Sequence, residues 1–326
     1  KGIATSIGHA PQVALIDSAK GSVVAVAEAL TNIVTTPLTD GIRGLSLSAN
    51  WMWPCKNPGE DAALYRAVEA CSDFACAIGV NIPTGKDSLS MTQKYGNDKV
   101  YAPGTVIISA AGEVSDVRKT LSPVLSRKAS ILYYIDFSSD ALKLGGSALA
   151  QALGSLGADA PTVADPARFV DTFSAVQELV RKNMLLAAHD VSAGGLVTTV
   201  LEMTFANTAG GVELDLNSFD EKDLVKILFA ENPALVAQVE ASKIERVDAL
   251  LTKAGVKFHH IGEPTTERTL IINHHGTQRL MGIDHLRDVW MHTSYLMDSL
   301  QSGEKCARAR FENYKKQPIR YRLPAG

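Results

Sequence analysis

Leu186-Ala187-Ala188-His189-Asp190-Val191-Ser192-Ala193-Gly194-Gly195-Leu196 runs from small apolar residues into a His-Asp pair, then to a hydroxyl and two glycines, and then into an apolar helical run. The pattern predicts a strand, a tight turn and a helix N-terminus. Such a turn offers backbone N–H groups to an anion. Its glycines let a ligand approach the main chain closely. Asp190, at the strand end, can face a divalent cation that a phosphate would also bind. In outline this is a nucleotide-phosphate site. A His-Asp before a Gly-Gly turn also occurs in folds that bind nothing, so the motif alone leaves both readings open.

Working outward, the chain has 326 residues, enough for two domains with sizeable cores. A formal net charge of -3 gives no overall pull towards nucleic acid or an anionic membrane. No apolar run approaches the roughly 18 residues that span a bilayer. Lys1-Gly2-Ile3-Ala4-Thr5-Ser6 leads into no apolar signal-peptide core. The first residue is not Met, so the chain is expected to be a piece of something longer. Cys55, Cys71, Cys76 and Cys306 form no C-x-x-C pair and no disulfide framework, which fits a reducing, cytoplasmic setting. None has the setting of a thiol nucleophile.

Val13 to Asp17 reads as a short strand. Ser22 reads as the N-cap of a helix over 23–34. On that apolar helix Glu28 and Asn32 lie at i and i+4, on one face and within about 6 Å of each other. Two hard oxygens so placed suit Mg²⁺; a Glu favoured by the helix dipole and an Asn near the helix end would look the same. Leu45 to Trp51 alternates as a strand, and a helix is expected over 62–79. Thr84-Gly85-Lys86-Asp87-Ser88-Leu89-Ser90-Met91 has the composition of a phosphate loop but lacks the G-x-x-x-x-G spacing. Lys86 can meet a phosphate or simply pair with Asp87. Strands follow at 106–114, 131–136, 185–190, 212–216, 256–262 and 270–273, and helices at 144–154, 169–183, 196–205 and 243–254. The segment 228–239 reads as a turn entering a strand. His259-His260 and His274-His275 alternate faces on strands, which points the members of each pair apart and disfavours a shared metal. A helix over 284–300 carries Leu286, Val289, Trp290, Leu296, Met297 and Leu300 on one stripe. The basic end, Cys306 to Gly326, reads as an extended linker rather than a nucleic-acid contact. The fold class is α+β, two layered αβ domains with a mixed sheet in the second. The predicted divisions are 1–124, 129–282 and a helix with basic linker over 283–326.

Five segments in order carry a resemblance: Ala27-Glu28-Ala29-Leu30-Thr31-Asn32, Leu47-Ser48-Ala49-Asn50-Trp51-Met52, Pro58-Gly59-Glu60-Asp61-Ala62, Pro83 to Met91, and His189 to Leu196. Together they resemble the large, single-chain phosphoribosylformylglycinamidine synthase family of purine biosynthesis. The closer match covers about 1–275 of this chain and is to the family's second synthetase half. The helix and tail after it resemble the connection towards the glutaminase domain.

The resemblance implies a fold of the aminoimidazole-ribonucleotide-synthetase type, with an N-terminal barrel-forming domain and a C-terminal mixed-sheet domain. It implies an ATP-dependent ligase that converts formylglycinamide ribonucleotide to its amidine with ammonia from glutamine. The second half of such enzymes carries an auxiliary nucleotide site with magnesium. Carried over by motif, Glu28, Asn32 and Asp190 fall on its magnesium ligands, and Ser192 on a contact to ATP or ADP. Gly194 and Gly195 supply amides to the phosphates, and Lys86 is a candidate by position. The implied partners are the first synthetase half and the glutaminase domain, with a homodimer of this piece as a further option, and no nucleic acid or membrane. The family takes another aspartate from upstream of Lys1, and some relatives have Asp where Ala193 stands here. No glutaminase Cys-His-Glu set is present. This chain alone is therefore expected to be inactive as a synthase, with a nucleotide-free structural half as the alternative.

Overall fold

A computed structural model describes residues 1–316 of the chain. The first layer is built on β1 (Gly2–His9), β2 (Ser46–Met52), β3 (Asn81–Ser88) and β6 (Thr105–Val114), joined in the order β1-β6-β2-β3. β6 pairs antiparallel with β1 and β2, and β2 runs parallel to β3. β6 alternates buried and exposed residues, as a strand with one covered face must. The covering helices are α2 (Ser18–Ile33) and α3 (Glu60–Ile78). The opposite face of this open sheet presents Ile3 and Ile7 to solvent. A short hairpin of β4 (Thr92–Tyr95) and β5 (Asp98–Tyr101) stands apart from it.

Two expectations for this layer are corrected. Val13 to Asp17 is not a strand but most of α1 (Pro11–Ile16), with Pro11 in the first helical turn, where its missing N–H costs nothing. A five-residue apolar run does not by itself distinguish the two. α2 begins five residues earlier than expected, because Asp17 caps it by accepting from the Ala19 and Lys20 amides at 3.0 and 3.1 Å. Ser22 lies inside the helix, its hydroxyl turned onto the Ala19 carbonyl.

The second layer is a mixed sheet of seven strands: β7 (Ser130–Asp136), β8 (Leu185–Val191), β9 (Gly211–Asp215), β10 (Ala234–Glu240), β11 (Phe258–Thr265), β12 (Thr269–His274) and β13 (Thr277–Gly282). Their order is β13-β12-β9-β11-β7-β10-β8, with β9 and β12 parallel and the other pairs antiparallel. β8, which carries the His-Asp pair, is an edge strand bound only to β10. One core cluster packs α5 (Pro166–Arg181) and α8 (Ile244–Lys253) on one face. The other holds α6 (Gly195–Phe205) and α7 (Leu224–Phe229). The short α4 (Ala148–Ala152) follows a glycine turn at 145–146. The segment 228–239 is, as expected, a turn entering a strand: α7 ends at Phe229 and a short link leads into β10 at Ala234.

The layers share a core. Phe74 of α3 meets Phe169 of α5 edge-on at 5.6 Å between ring centroids. Fully buried Gln177 of α5 donates to the Val34 and Thr36 carbonyls, both at 2.7 Å, and accepts from the Leu38 amide at 3.0 Å. These bonds fix the end of α2 against the second sheet.

α9 (Ile283–Ser302) and α10 (Glu304–Glu312) close the described chain as a helical hairpin. The apolar stripe predicted on α9 is largely uncovered, with Val289, Trp290, Leu296, Met297 and Leu300 all exposed. The extended-linker reading fails from Cys306 to Glu312, which is helical and tied back by Arg310 to Asp298. Residues 317–326, with the rest of the basic linker, lie outside the described residues.

Candidate functional site

β8 ends at Val191, Ser192 to Gly194 make the turn, and α6 begins at Gly195. The Gly195 amide donates back to the Ser192 carbonyl at 3.0 Å and closes the turn. Gly194 and Gly195 have φ of +87° and +70°, where a side chain is strained. A Cβ on Gly195 would lie 2.7 Å from the Leu228 carbonyl oxygen, and one on Gly194 2.2 Å from Thr198 Oγ1. The glycines thus answer to the chain's own packing, and close approach of a ligand is not needed to explain them.

The turn meets α2. The Ser192 hydroxyl donates to Glu28 Oε1 at 2.7 Å, across 164 residues of sequence. The His9 amide donates to Glu28 Oε2 at 3.0 Å. Burial pushes the Glu28 carboxyl above its ordinary pKa, and the nearby Asp190 charge pushes the same way, against the two hydrogen bonds. Asp190 is mostly buried and lies 3.3 Å from His189 Nδ1; His189 Nε2 lies 3.5 Å from Glu202. Burial pulls the His189 pKa down, but Asp190 and Glu202 outweigh it and the net shift is upward.

Glu28 and Ser192 line a cavity of about 100 Å³ whose polar lining also includes His9, Thr31 and Glu231; Asp190, His189, Gly194 and Gly195 lie outside that lining. The cavity has room for a phosphate group or a hydrated ion, well below the clefts that bury a whole drug-sized ligand. Glu28 and Ser192, predicted together, are brought together. Asn32 does not line the cavity and is exposed, one turn along α2 from Glu28. Lys86 lies on edge strand β3, exposed and bonded to the Ser88 hydroxyl, also outside the lining.

Glu231 was not among the residues predicted for the site. Its Oε1 accepts from the Gly194 amide and from the Ala148 amide, both at 2.7 Å. An amide expected to meet phosphate therefore already holds an internal carboxylate. Burial raises the Glu231 pKa, and the charge of Glu28 adds to it. The available signal was a lone acid inside the apolar run from Leu228 to Val239.

The donor set fits a hard cation in part. Glu28 and Asp190 are half-buried carboxylates close enough for Asp190 to push the Glu28 pKa up, and a cation between them would relieve that cost. Among the described residues, no group of three or more His, Cys, Asp or Glu is arranged to hold a metal by itself. Mg²⁺ usually completes its octahedron with phosphate oxygens and water, so two protein carboxylates suffice for a shared site.

Residues 1–113 match the model of the FGAR-AT PurM_N-like domain, and residues 133–274 that of the AIR synthase related protein, C-terminal domain. The chain is a two-domain αβ unit of the aminoimidazole-ribonucleotide-synthetase type. Within that class it is similar to phosphoribosylformylglycinamidine synthase: the Homo sapiens protein of that name is 38% identical over 311 residues, which is 94% of this chain. Those residues are 23% of the human protein, so the chain spans about a quarter of that relative's length. T. maritima PurL complexed with FGAR superposes with a TM-score of 0.70 at 16% identity, over 87% of this chain and 45% of that one. The same protein complexed with ATP gives 0.67 at 16% identity, over 87% and 44%. E. coli HypE, a hydrogenase maturation protein, gives 0.56 at 18% identity, over 87% and 86%. At these identities the structural likeness speaks for the fold, and the fold alone does not choose among functions.

Proposed function

We propose that this chain is a synthetase half of a phosphoribosylformylglycinamidine synthase and carries a Mg-nucleotide site that scaffolds the catalytic half. The whole enzyme would use ATP and glutamine to convert formylglycinamide ribonucleotide to formylglycinamidine ribonucleotide, ADP, phosphate and glutamate. The 38% identity over nearly the whole chain supports the enzyme class. The observation that carries the site is the Ser192–Glu28 hydrogen bond, which joins a strand end of one domain to a helix of the other.

In this reading Glu28 and Asp190 hold magnesium, and Ser192 and the turn at Gly194–Gly195 face the phosphates of ATP or ADP. Asn32 is assigned to the ion by resemblance and Lys86 to the nucleotide by position. Magnesium, when bound, neutralises phosphate charge. The protein's own part is to orient Ser192 through Glu28 and to hold Glu28 through the His9 amide. The cavity takes only the phosphate end, so the nucleoside would lie against further walls.

Those walls, a first synthetase half and a glutaminase domain, fit a relative about four times longer. The exposed outer face of the first sheet supports the same partners, or a second copy of this chain. The divisions 1–124, 129–282 and 283–326 and a cytoplasmic location belong to the same proposal; among the described residues no helix is long and apolar enough to cross a membrane.

One observation favours a second reading, a nucleotide-free structural half: Glu231 already fills the Gly194 amide. Thermal unfolding with Mg·ADP separates the two. A hundredfold excess over Kd adds about 2.7 kcal/mol. A raised melting temperature that Asp190→Asn abolishes supports the nucleotide site, and no shift supports the structural half. Alone, with ATP, substrate and ammonia, the chain is expected to show no turnover; measured turnover overturns the scaffolding role.

A further inference from the structure

We infer that Glu231 makes this cavity selective for phosphate carried with a cation, by holding a negative charge in the amide pocket that a bare phosphate would need. The inference rests on the nucleotide reading above and adds to it a residue that the motifs did not supply.

Three observations converge. First, Glu231 Oε1 is gripped by two amides, Gly194 from the β8–α6 turn and Ala148 after the glycine turn at 145–146, each at 2.7 Å. The carboxylate is therefore placed by main chain from two separate segments. Second, Glu28 from α2 faces the same cavity, and the two carboxylates sense each other. Asp190 at the end of β8 lies outside the lining, but its charge still reaches Glu28. Third, no Lys or Arg is among the described residues lining the cavity, and His9 is its only titratable base there. A free phosphate would enter a space walled by like charges and find the Gly194 amide taken. At short range and reduced dielectric that repulsion outweighs what the remaining amides offer. A phosphate already carrying a divalent cation brings the charge that Glu28, Asp190 and Glu231 lack. Glu231 acts through field and position, without a place among the proposed metal ligands.

Glu231→Gln tests this well, because the amide oxygen still accepts both N–H groups while the charge is gone. Calorimetric titration of this chain and of the variant would use ADP in EDTA and ADP in excess magnesium. The wild type is expected to bind Mg·ADP, and to bind ADP in EDTA at least about tenfold more weakly. In Glu231→Gln that gap should shrink to within about threefold, through a gain in EDTA. An unchanged gap, or an equal loss under both conditions, overturns the inference and leaves the nucleotide reading standing. Absence of Mg·ADP binding by the wild type sinks that reading and this one with it. Should the variant not fold, the wild type alone decides: in EDTA, ADP should bind no better than adenosine. Tighter binding of ADP than of adenosine would show that the cavity welcomes bare phosphate.

Discussion

Glu28, Ser192 and Glu231 show what single residues contribute and how far each could be read. Glu28 stood out because it is an acid on an otherwise apolar helix, and Ser192 because a hydroxyl precedes two glycines; their meeting at 2.7 Å follows from the fold. Glu231 was not predicted for the site, because its partners are backbone amides, which every sequence offers. Asn32 was expected from helical spacing beside Glu28, yet it is exposed and does not line the cavity. The raised pKa of Glu231 has a consequence for stability. A carboxyl whose folded pKa lies above its ordinary value holds its proton more tightly in the folded state. Its contribution is complete below the unfolded pKa and is lost as pH rises through the folded one. The wild type should therefore lose stability as pH rises from about 4.5 towards neutrality, and Glu231→Gln should lose less over that window. Chemical denaturation at several pH values reads this, and equal slopes for the two proteins would contradict it.

At the scale of elements, the long amphipathic helices α3, α5 and α8 and the strands β2, β6 and β7 were legible within a few residues. In the helices and β6 the apolar spacing coincides with one buried face, while β7 reads as a continuous apolar run because it is buried on both faces. What failed was short or diluted. α1 is a six-residue helix too brief to show a period. β1 begins at Gly2 and has a second glycine near its end, which weakens the strand signal. The hairpin of β4 and β5 is almost wholly exposed and so carries no hydrophobic code. Caps decide boundaries that periodicity leaves open. Asp17→Ala should cost about 1 kcal/mol by freeing the first amides of α2, and a melting temperature equal to the wild type's would refute the cap's role. Gly195→Ala meets both a positive φ and the Leu228 carbonyl. It should cost about 1–3 kcal/mol, against near neutrality for Gly276→Ala only in packing, since a Cβ there meets nothing within 4 Å although φ is +76°.

For the whole molecule, the two layers act as one body because Gln177 and the Phe74–Phe169 contact cross between them. Gln177→Ala leaves the Val34 and Thr36 carbonyls without that donor and should destabilise by about 2–4 kcal/mol; a loss below about 1 kcal/mol in urea unfolding would contradict the joint. This joint also sets Glu28 of the first layer opposite Ser192 of the second, so the candidate site depends on it. The apolar character of the α9 stripe was legible where its exposure was not, whereas the open outer face of the first sheet, with Ile3 and Ile7 exposed, went unread together with β1. The central claim is that Glu28 and Asp190 hold a divalent ion shared with a nucleotide phosphate. Crystals grown with ADP and Mn²⁺ in place of Mg²⁺ test it most directly, by anomalous scattering at the manganese edge. The account predicts one peak between the Glu28 and Asp190 carboxylates, with phosphate density beside Ser192. Bound ADP with its manganese elsewhere, or no peak at these carboxylates at saturating Mn·ADP, would contradict it.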